Sequence, residues 1–284
     1  MEIVTTAAAM QRISEAARCA GRRVGCVPTM GALHAGHLSL LARCRADTEL
    51  VIMTLFVNPM QFDRPDDLAR YPRVLEQDAT LAQQAGVDVI YAPSIDTMYP
   101  PEFATHVTVE WLTTRWEGAA RTGHFRGVAT VCTKLFTACR PHRAYFGQKD
   151  YQQTLVVRRL VADLDLGLDI VVLPTVREAD GLALSSRNVH LSPEERREAA
   201  VLSQALSAAA ASVRAGERQA ERIRSGLEAR IRTAPLARIE YAAVCDAETL
   251  EPLSTLDDRA IALVAARFGV TRLIDNAFLQ ADPV

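Results

Sequence analysis

Apolar and polar positions along this chain change period several times, and each change predicts an element. Residues 5–20 space their apolar positions as a helix does, and Gly21 predicts its end. Val24 to Val27 is a short apolar run without alternation, as expected of a strand buried on both faces of a parallel sheet, and Leu38 to Arg45 returns to helical spacing. Leu50 to Val57 predicts a second buried strand, which Pro59 cannot continue. Residues 63–71 are polar and proline-bearing, a helix is expected from about 73 to 85 with Gly86 behind it, and 87–91 predicts a third strand. Residues 93–125 keep no period, which in a compact domain marks a functional loop or a lid. Val128, Val131, Cys132, Leu135, Phe136 and Cys139 then mark one face of a helix, with Lys134 on its polar side. Ala144 to Phe146 and Leu168 to Leu173 predict two further strands.

Beyond about residue 176 the pattern changes character. Ser192-Pro193-Glu194-Glu195 is a helix start, with Ser as cap, Pro in the first turn and carboxylates behind it. Alanine-rich helices follow to about 232 with a break near Gly216, and then 238–244, 260–266 and 271–274 predict three short strands. The expected fold is therefore α/β, with a parallel-sheet domain over 1–175 and a smaller α+β domain over 176–284.

Candidate chemistry sits where the predicted strands end. Pro28 to His37, P-T-M-G-A-L-H-A-G-H, turns a buried strand into a helix. Gly31 and Gly36 allow close backbone approach, the helix start offers unpaired N–H groups, and His34 and His37 share one face three residues apart. That combination suits phosphate. A metal pair is a second reading, although no carboxylate or thiolate stands in register as a third ligand, and a pair of core histidines is a third. Asn58-Pro59-Met60-Gln61-Phe62 ends the next strand, and Gln61 is either a ligand of substrate or an exposed loop amide. Arg121 to Gly127 gathers Arg121, His124 and Arg126, facing either a bound ligand or solvent. Gly147-Gln148-Lys149-Asp150-Tyr151-Gln152-Gln153 again takes a strand through glycine into a helix. The loop Asp180 to Asn188 places Ser185 and Ser186 beside Arg187, suited to a mobile phosphate clamp or to a helix cap.

These blocks, in this order, carry a resemblance. His34-Ala35-Gly36-His37 resembles the signature turn of the nucleotidyltransferase superfamily, shared with class I aminoacyl-tRNA synthetases. With 28–31, 58–62, 147–153 and 184–188 added, the chain is similar to the pantoate–β-alanine ligase family over essentially its whole length. The resemblance implies a Rossmann-like nucleotide-binding domain and an ATP-dependent ligase that joins pantoate to β-alanine through a pantoyl adenylate. It implies ATP contacts from Met30, Gly31, Ala32, Leu33, His34, Ala35, Gly36 and His37, from Gly147, Gln148, Lys149 and Asp150, and from Val176, Leu184, Ser185, Ser186 and Arg187. Gln61 would bind pantoate and β-alanine, and Gln153 would bind pantoate. His37, His34, Lys149 and Arg187 would be the catalytic donors. Many members carry Glu at the position of Gln148. Magnesium would bridge the ATP phosphates, with Asp78 and Asp150 as its nearest protein ligands, and the chain would act as a homodimer. The alternative within the superfamily is transfer of AMP or CMP to a phosphorylated small molecule, which would need a second cationic site and no Gln61 or Gln153.

Composition narrows the field further. With 284 residues, 49% hydrophobic, the chain is long enough for a substantial core, and a net charge of −2 without a basic tail argues against nucleic acid or an anionic membrane as partner. No apolar run reaches the ~18 residues of a membrane span and the N-terminus has no secretory pattern, so a cytoplasmic protein is expected. The six cysteines show no C-x-x-C spacing and mostly fall on apolar positions, as buried thiols do. Of 32 basic residues only Lys134 and Lys149 are lysine, a bias against which each surviving ammonium invites a reason.

Overall fold

The computed structural model describes residues 1–279. The chain divides into two compact units, the first made of Met1–Gly147 and Gln153–Pro174, the second of Gln148–Gln152 and the chain from Thr175 onward. The strands of the first unit are β1 (Glu2–Val4), β2 (Val24–Thr29), β3 (Leu50–Leu55), β4 (Val89–Tyr91), β5 (Arg143–Gly147) and β6 (Asp169–Leu173). They form one sheet in the order β1-β4-β3-β2-β5-β6, and every pairing is parallel. From β2 the chain winds outward through β3 to β4 and later resumes on the other side at β5. The direction of winding therefore reverses beside β2, and ligands of such sheets bind outside the strand ends at that reversal.

Both faces of the sheet are covered, which is why its strands read as unbroken apolar runs. Cys26, Ile52 and Phe146 pack on one side with Met10 and with Val128, Leu135 and Phe136 of the His124–Cys139 helix. Their neighbours Val27, Val51, Met53 and Tyr145 pack on the other with Leu41 and Cys44 of the Ala35–Asp47 helix. Five of the six cysteines are buried thiols, and Cys19 is exposed.

Several expectations change at the edges. β1, with only three residues, is too short to show a period. The stretch 63–71 contains a helical turn, Pro65–Arg70, and the aperiodic 93–125 contains two more, Ile95–Met98 and Glu117–Ala120. The long helix starts at His124, because Gly123 turns the chain into it at φ 83°. Lys134 on that helix lies 5.0 Å from the centre of the Phe103 ring, a cation–π contact.

The second unit holds the helices Pro193–Ala199, Val201–Arg214 and Ala220–Ile231 and the strands β7 (Ala237–Asp246), β8 (Ala260–Phe268) and β9 (Thr271–Phe278). The first helix begins with the reciprocal cap its sequence announced, Ser192 accepting from the Glu195 N–H and Glu195 accepting from the Ser192 N–H. The strands run antiparallel in the order β7-β8-β9. Ala262, Val264 and Phe268 of β8 share a core with Leu202, Leu206 and Leu227 of the helices.

The packing of β2 against the Ala35–Asp47 helix depends on Gly25 having no side chain. A methyl group there would overlap the Cys44 sulfur and stand 2.6 Å from the Thr48 hydroxyl. Gly25→Ala is expected to lower stability by about 1–3 kcal/mol, the usual cost of overpacking a filled core. The check is a urea titration, in which an unchanged midpoint would show that the contact relaxes without cost.

Candidate functional site

In the first unit the turn after β2 is built around Asp78. Gly31 and Ala32 both adopt positive φ, at 84° and 53°, a conformation that needs outside support at a non-glycine residue. Asp78 supplies it. This side chain is only 1% exposed, and it accepts hydrogen bonds from the N–H groups of Ala32 at 2.9 Å and Leu33 at 2.8 Å. A Cβ at Gly31 would sit 2.7 Å from the same carboxylate. Asp78, which the sequence reading set beside magnesium, thus has both carboxylate oxygens engaged by backbone donors of the turn. Among the described residues no group of three or more His, Cys, Asp or Glu is arranged to hold a metal.

His34 caps the helix that follows, and the two histidines form a reciprocal capping box. The Gly36 N–H donates to His34 Nδ1 at 3.1 Å, and the His34 N–H donates to His37 Nδ1 at 3.3 Å. A ring nitrogen that accepts a hydrogen bond carries no proton, so each imidazole in this arrangement is neutral with its proton on Nε2. The ring centres lie 4.2 Å apart. Two Nε2–H donors are thus held side by side at a helix start.

The Asn58–Phe62 block meets this turn directly. Gln61 donates from Nε2 to the Met30 sulfur at 3.0 Å, and its Oε1 accepts from Asn58 at 3.0 Å. Asn58, 1% exposed, also donates to the Gly127 carbonyl and accepts from the Tyr99 hydroxyl. The Gln61 carbonyl accepts from His124 Nδ1 at 2.7 Å and from Arg121 at 3.1 Å. A carbonyl only accepts and a guanidinium only donates, so His124 is protonated on Nδ1 and takes the 3.3 Å contact from Arg121 on Nε2. Arg121 also pairs with Asp63 at 3.0 Å. Burial alone would raise the Asp63 carboxyl, but the Arg121 hydrogen bond and charge hold it below the ordinary carboxylate value. Arg121 and His124 thus clamp the segment that carries Gln61. Gln153, half-buried, lies in the first turn of the Tyr151–Asp163 helix.

The second unit carries the other candidates in two segments. Gln148–Asp150 is a single 3-10 turn in which the Lys149 ammonium stands 3.7 Å from the Asp150 carboxylate. Gln148 turns its amide to Asn276, at 3.1 Å. Val176 and Leu184 close the base of the serine loop through a backbone hydrogen bond of 3.0 Å, inside which Arg177 pairs with Ala183. Ser185 caps the 3-10 helix Ser186–His190, accepting from the Arg187 N–H at 3.2 Å. Capping uses an oxygen lone pair and leaves the hydroxyl proton to donate, so the cap reading and the phosphate reading of Ser185 are compatible.

Asn58 and Asn276 lay outside the candidate residues of the sequence, and Arg121 and His124, candidates there for a ligand or for solvent, hold the Gln61 carbonyl. Asn58 had a local signal, an Asn directly before a Pro. Asn276 left none, and the Gln61 carbonyl that Arg121 and His124 hold lies 60 or more residues distant in sequence.

Comparison with known proteins covers the chain almost end to end. The family described as Pantoate-beta-alanine ligase matches residues 2–278. The pantothenate synthetase of Moorella thermoacetica is 51% identical over 282 residues, covering 99% of this chain and 100% of that protein. The crystal structure of the pantothenate synthetase from Thermus thermophilus superposes with a TM-score of 0.93 at 49% identity, over 99% of this chain and 100% of that one. The pantoate–β-alanine ligase of Francisella tularensis, solved in complex with β-γ ATP and β-alanine, gives a TM-score of 0.81 at 30% identity over 98% of both chains.

Asp78→Asn separates the turn-holding role of this residue from a metal-binding one. The amide keeps one acceptor and points N–H groups where the backbone also donates, so stability is expected to fall by about 1–3 kcal/mol. Removing divalent ions with EDTA is expected to leave the melting temperature of the wild-type protein unchanged. A chelator that lowers wild-type melting as far as the substitution does would return Asp78 to the metal.

Proposed function

Because this chain belongs to the pantoate–β-alanine ligase family and is an ATP-dependent ligase of that kind, we propose that its four sequence blocks carry the two halves of that reaction. A carboxylate oxygen of pantoate attacks the α-phosphorus of ATP, the bond to the bridging oxygen of the β-phosphate breaks, and pyrophosphate leaves. The amine of β-alanine then attacks the acyl carbon of pantoyl adenylate, and AMP leaves as pantothenate forms. Transfer of a nucleotide to a phosphorylated acceptor is not favoured, since the family match spans the whole chain and Gln61 and Gln153 are both present.

In the first half-reaction negative charge grows on phosphate oxygens, and preplaced donors lower that barrier most. The observation that carries the reading is the histidine capping box, which aims neutral Nε2–H donors from a helix start. His37 is the donor to the leaving phosphate oxygen, with His34 beside it. Lys149, Ser185, Ser186 and Arg187 supply the remaining donors, three of them neutral or compact and one a planar fork. Gln61 and Gln153 orient pantoate with neutral amides. The backbone around Gly31, Gly36 and Gly147 lies close to the nucleotide, as do Met30, Ala32, Leu33, Ala35, Val176 and Leu184. Magnesium, when bound to ATP, neutralises phosphate charge; Asp150, half-buried beside Lys149, would help hold it. We also propose a cytoplasmic homodimer, in keeping with family resemblance; among the described residues no helix is long and apolar enough to cross a membrane.

Labelled pyrophosphate should exchange into ATP with pantoate alone, because the adenylate is complete before the amine is needed. Exchange that strictly requires β-alanine would exclude the two-step scheme.

Lys149→Ala should slow adenylate formation in a single turnover by about 10²–10³-fold, the usual effect of losing one preorganised donor. Lys149→Arg should rescue poorly, since a planar fork replaces a compact charge. Lys134→Ala should leave that rate unchanged and cost only about 0.5–1 kcal/mol of stability through its ring contact. A well-folded Lys149→Ala enzyme within about threefold of wild type, less than 1 kcal/mol, would remove Lys149 from the mechanism.

A further inference from the structure

The turn that presents Lys149 is held by a residue more than a hundred positions away. Asn276 of β9, 3% exposed, donates from Nδ2 to the carbonyls of Gln148 at 2.9 Å and Lys149 at 3.0 Å. Its Oδ1 accepts from the Gln148 side chain at 3.1 Å. One amide thus satisfies two consecutive carbonyls and locks the side chain between them, and all of these residues belong to the second unit. Tyr151, just beyond the turn, adds a hydrogen bond to the Ala247 carbonyl at 2.8 Å and an edge contact with Phe278 of the same strand.

The preceding residue anchors the other phosphate-directed segment. Asp275, also 3% exposed, accepts from both terminal nitrogens of Arg177, at 2.6 and 2.9 Å. Arg177 in turn pairs with Ala183 and donates to the Gly181 carbonyl at 3.0 Å, fixing the base from which Ser185 to Arg187 extend. Successive strand residues face opposite ways, so one dipeptide of β9 serves both segments without competition.

On the reading that Lys149 stabilises phosphate charge, we infer that Asn276 is a positioning residue for Lys149. Its amide is spent on the turn itself. It fixes the backbone from which a side chain with four rotatable bonds projects, and an error of about 1 Å at such a point costs up to ~10²-fold in rate. Asp275 has the corresponding part for the serine loop through Arg177.

The test is a double-mutant cycle on the single-turnover rate of adenylate formation at saturating ATP. Asn276→Ala should slow that rate by about 10- to 100-fold in the wild-type background. In a Lys149→Ala background the same substitution should slow it by less than about threefold, because the group it positions is gone. In an Arg187→Ala background it should keep its full effect, since Arg187 extends from the segment anchored by Asp275. A general loss of fold would instead multiply through both backgrounds alike. If Asn276→Ala does not yield folded protein by thermal melting, the cycle is run with Asn276→Ser, which keeps one donor. Equal losses in all backgrounds, or an Asn276 variant within about threefold of wild type while Lys149→Ala is crippled, would overturn the inference and leave the functional reading intact. A Lys149→Ala enzyme that keeps its rate would overturn both.

Discussion

Two backbone N–H groups in the turn after β2 lie outside any helix or strand ladder, and a single buried carboxylate meets them both. That constraint reaches through the whole first unit. With Asp78 in place, Gly31 and Ala32 hold their left-handed backbone, Met30 stays where Gln61 meets its sulfur, and His34 arrives at the helix start with its ring turned back on the chain. A carboxylate buried without hydrogen-bond partners is unfavourable. Here it is matched by peptide dipoles, and the match holds only in one conformation of the turn.

Neutral imidazoles follow from the same logic of obligate donors. Backbone N–H groups face His34 and His37, while a carbonyl and a guanidinium face His124, so hydrogen-bond direction assigns each tautomer. In the proposed function the histidine turn therefore offers an anionic substrate dipoles and directed protons. In that proposal permanent positive charge comes from Lys149 and Arg187, on segments of the second unit.

What could be read from sequence was whatever is encoded locally. Buried strands, the Ser192 cap and the glycine-marked strand ends announce themselves over a few residues, and the four blocks are contiguous strings. The short helical turns near 65, 95 and 117 did not, because four to six residues carry too little period. The backbone partners of Asp78 could not be read either, because a carboxylate in sequence has no direction; only the packing of its helix against the turn brings the two N–H groups to it. Asn276 could not be found at all, since an amide in an alternating strand resembles any solvent-facing residue until its partners at 148 and 149 are known.

The five-residue passage of Gln148–Gln152 into the second unit makes the two units inseparable as heritable parts. A gene cut near residue 175 would put the lysine turn on one fragment and the strand that braces it on the other. Exchange of C-terminal halves between homologues would then preserve every residue of the 147–153 block and still mismatch its brace. The unit of recombination that keeps this chemistry whole includes β9 together with the lysine turn, although nearly half of the chain lies between them.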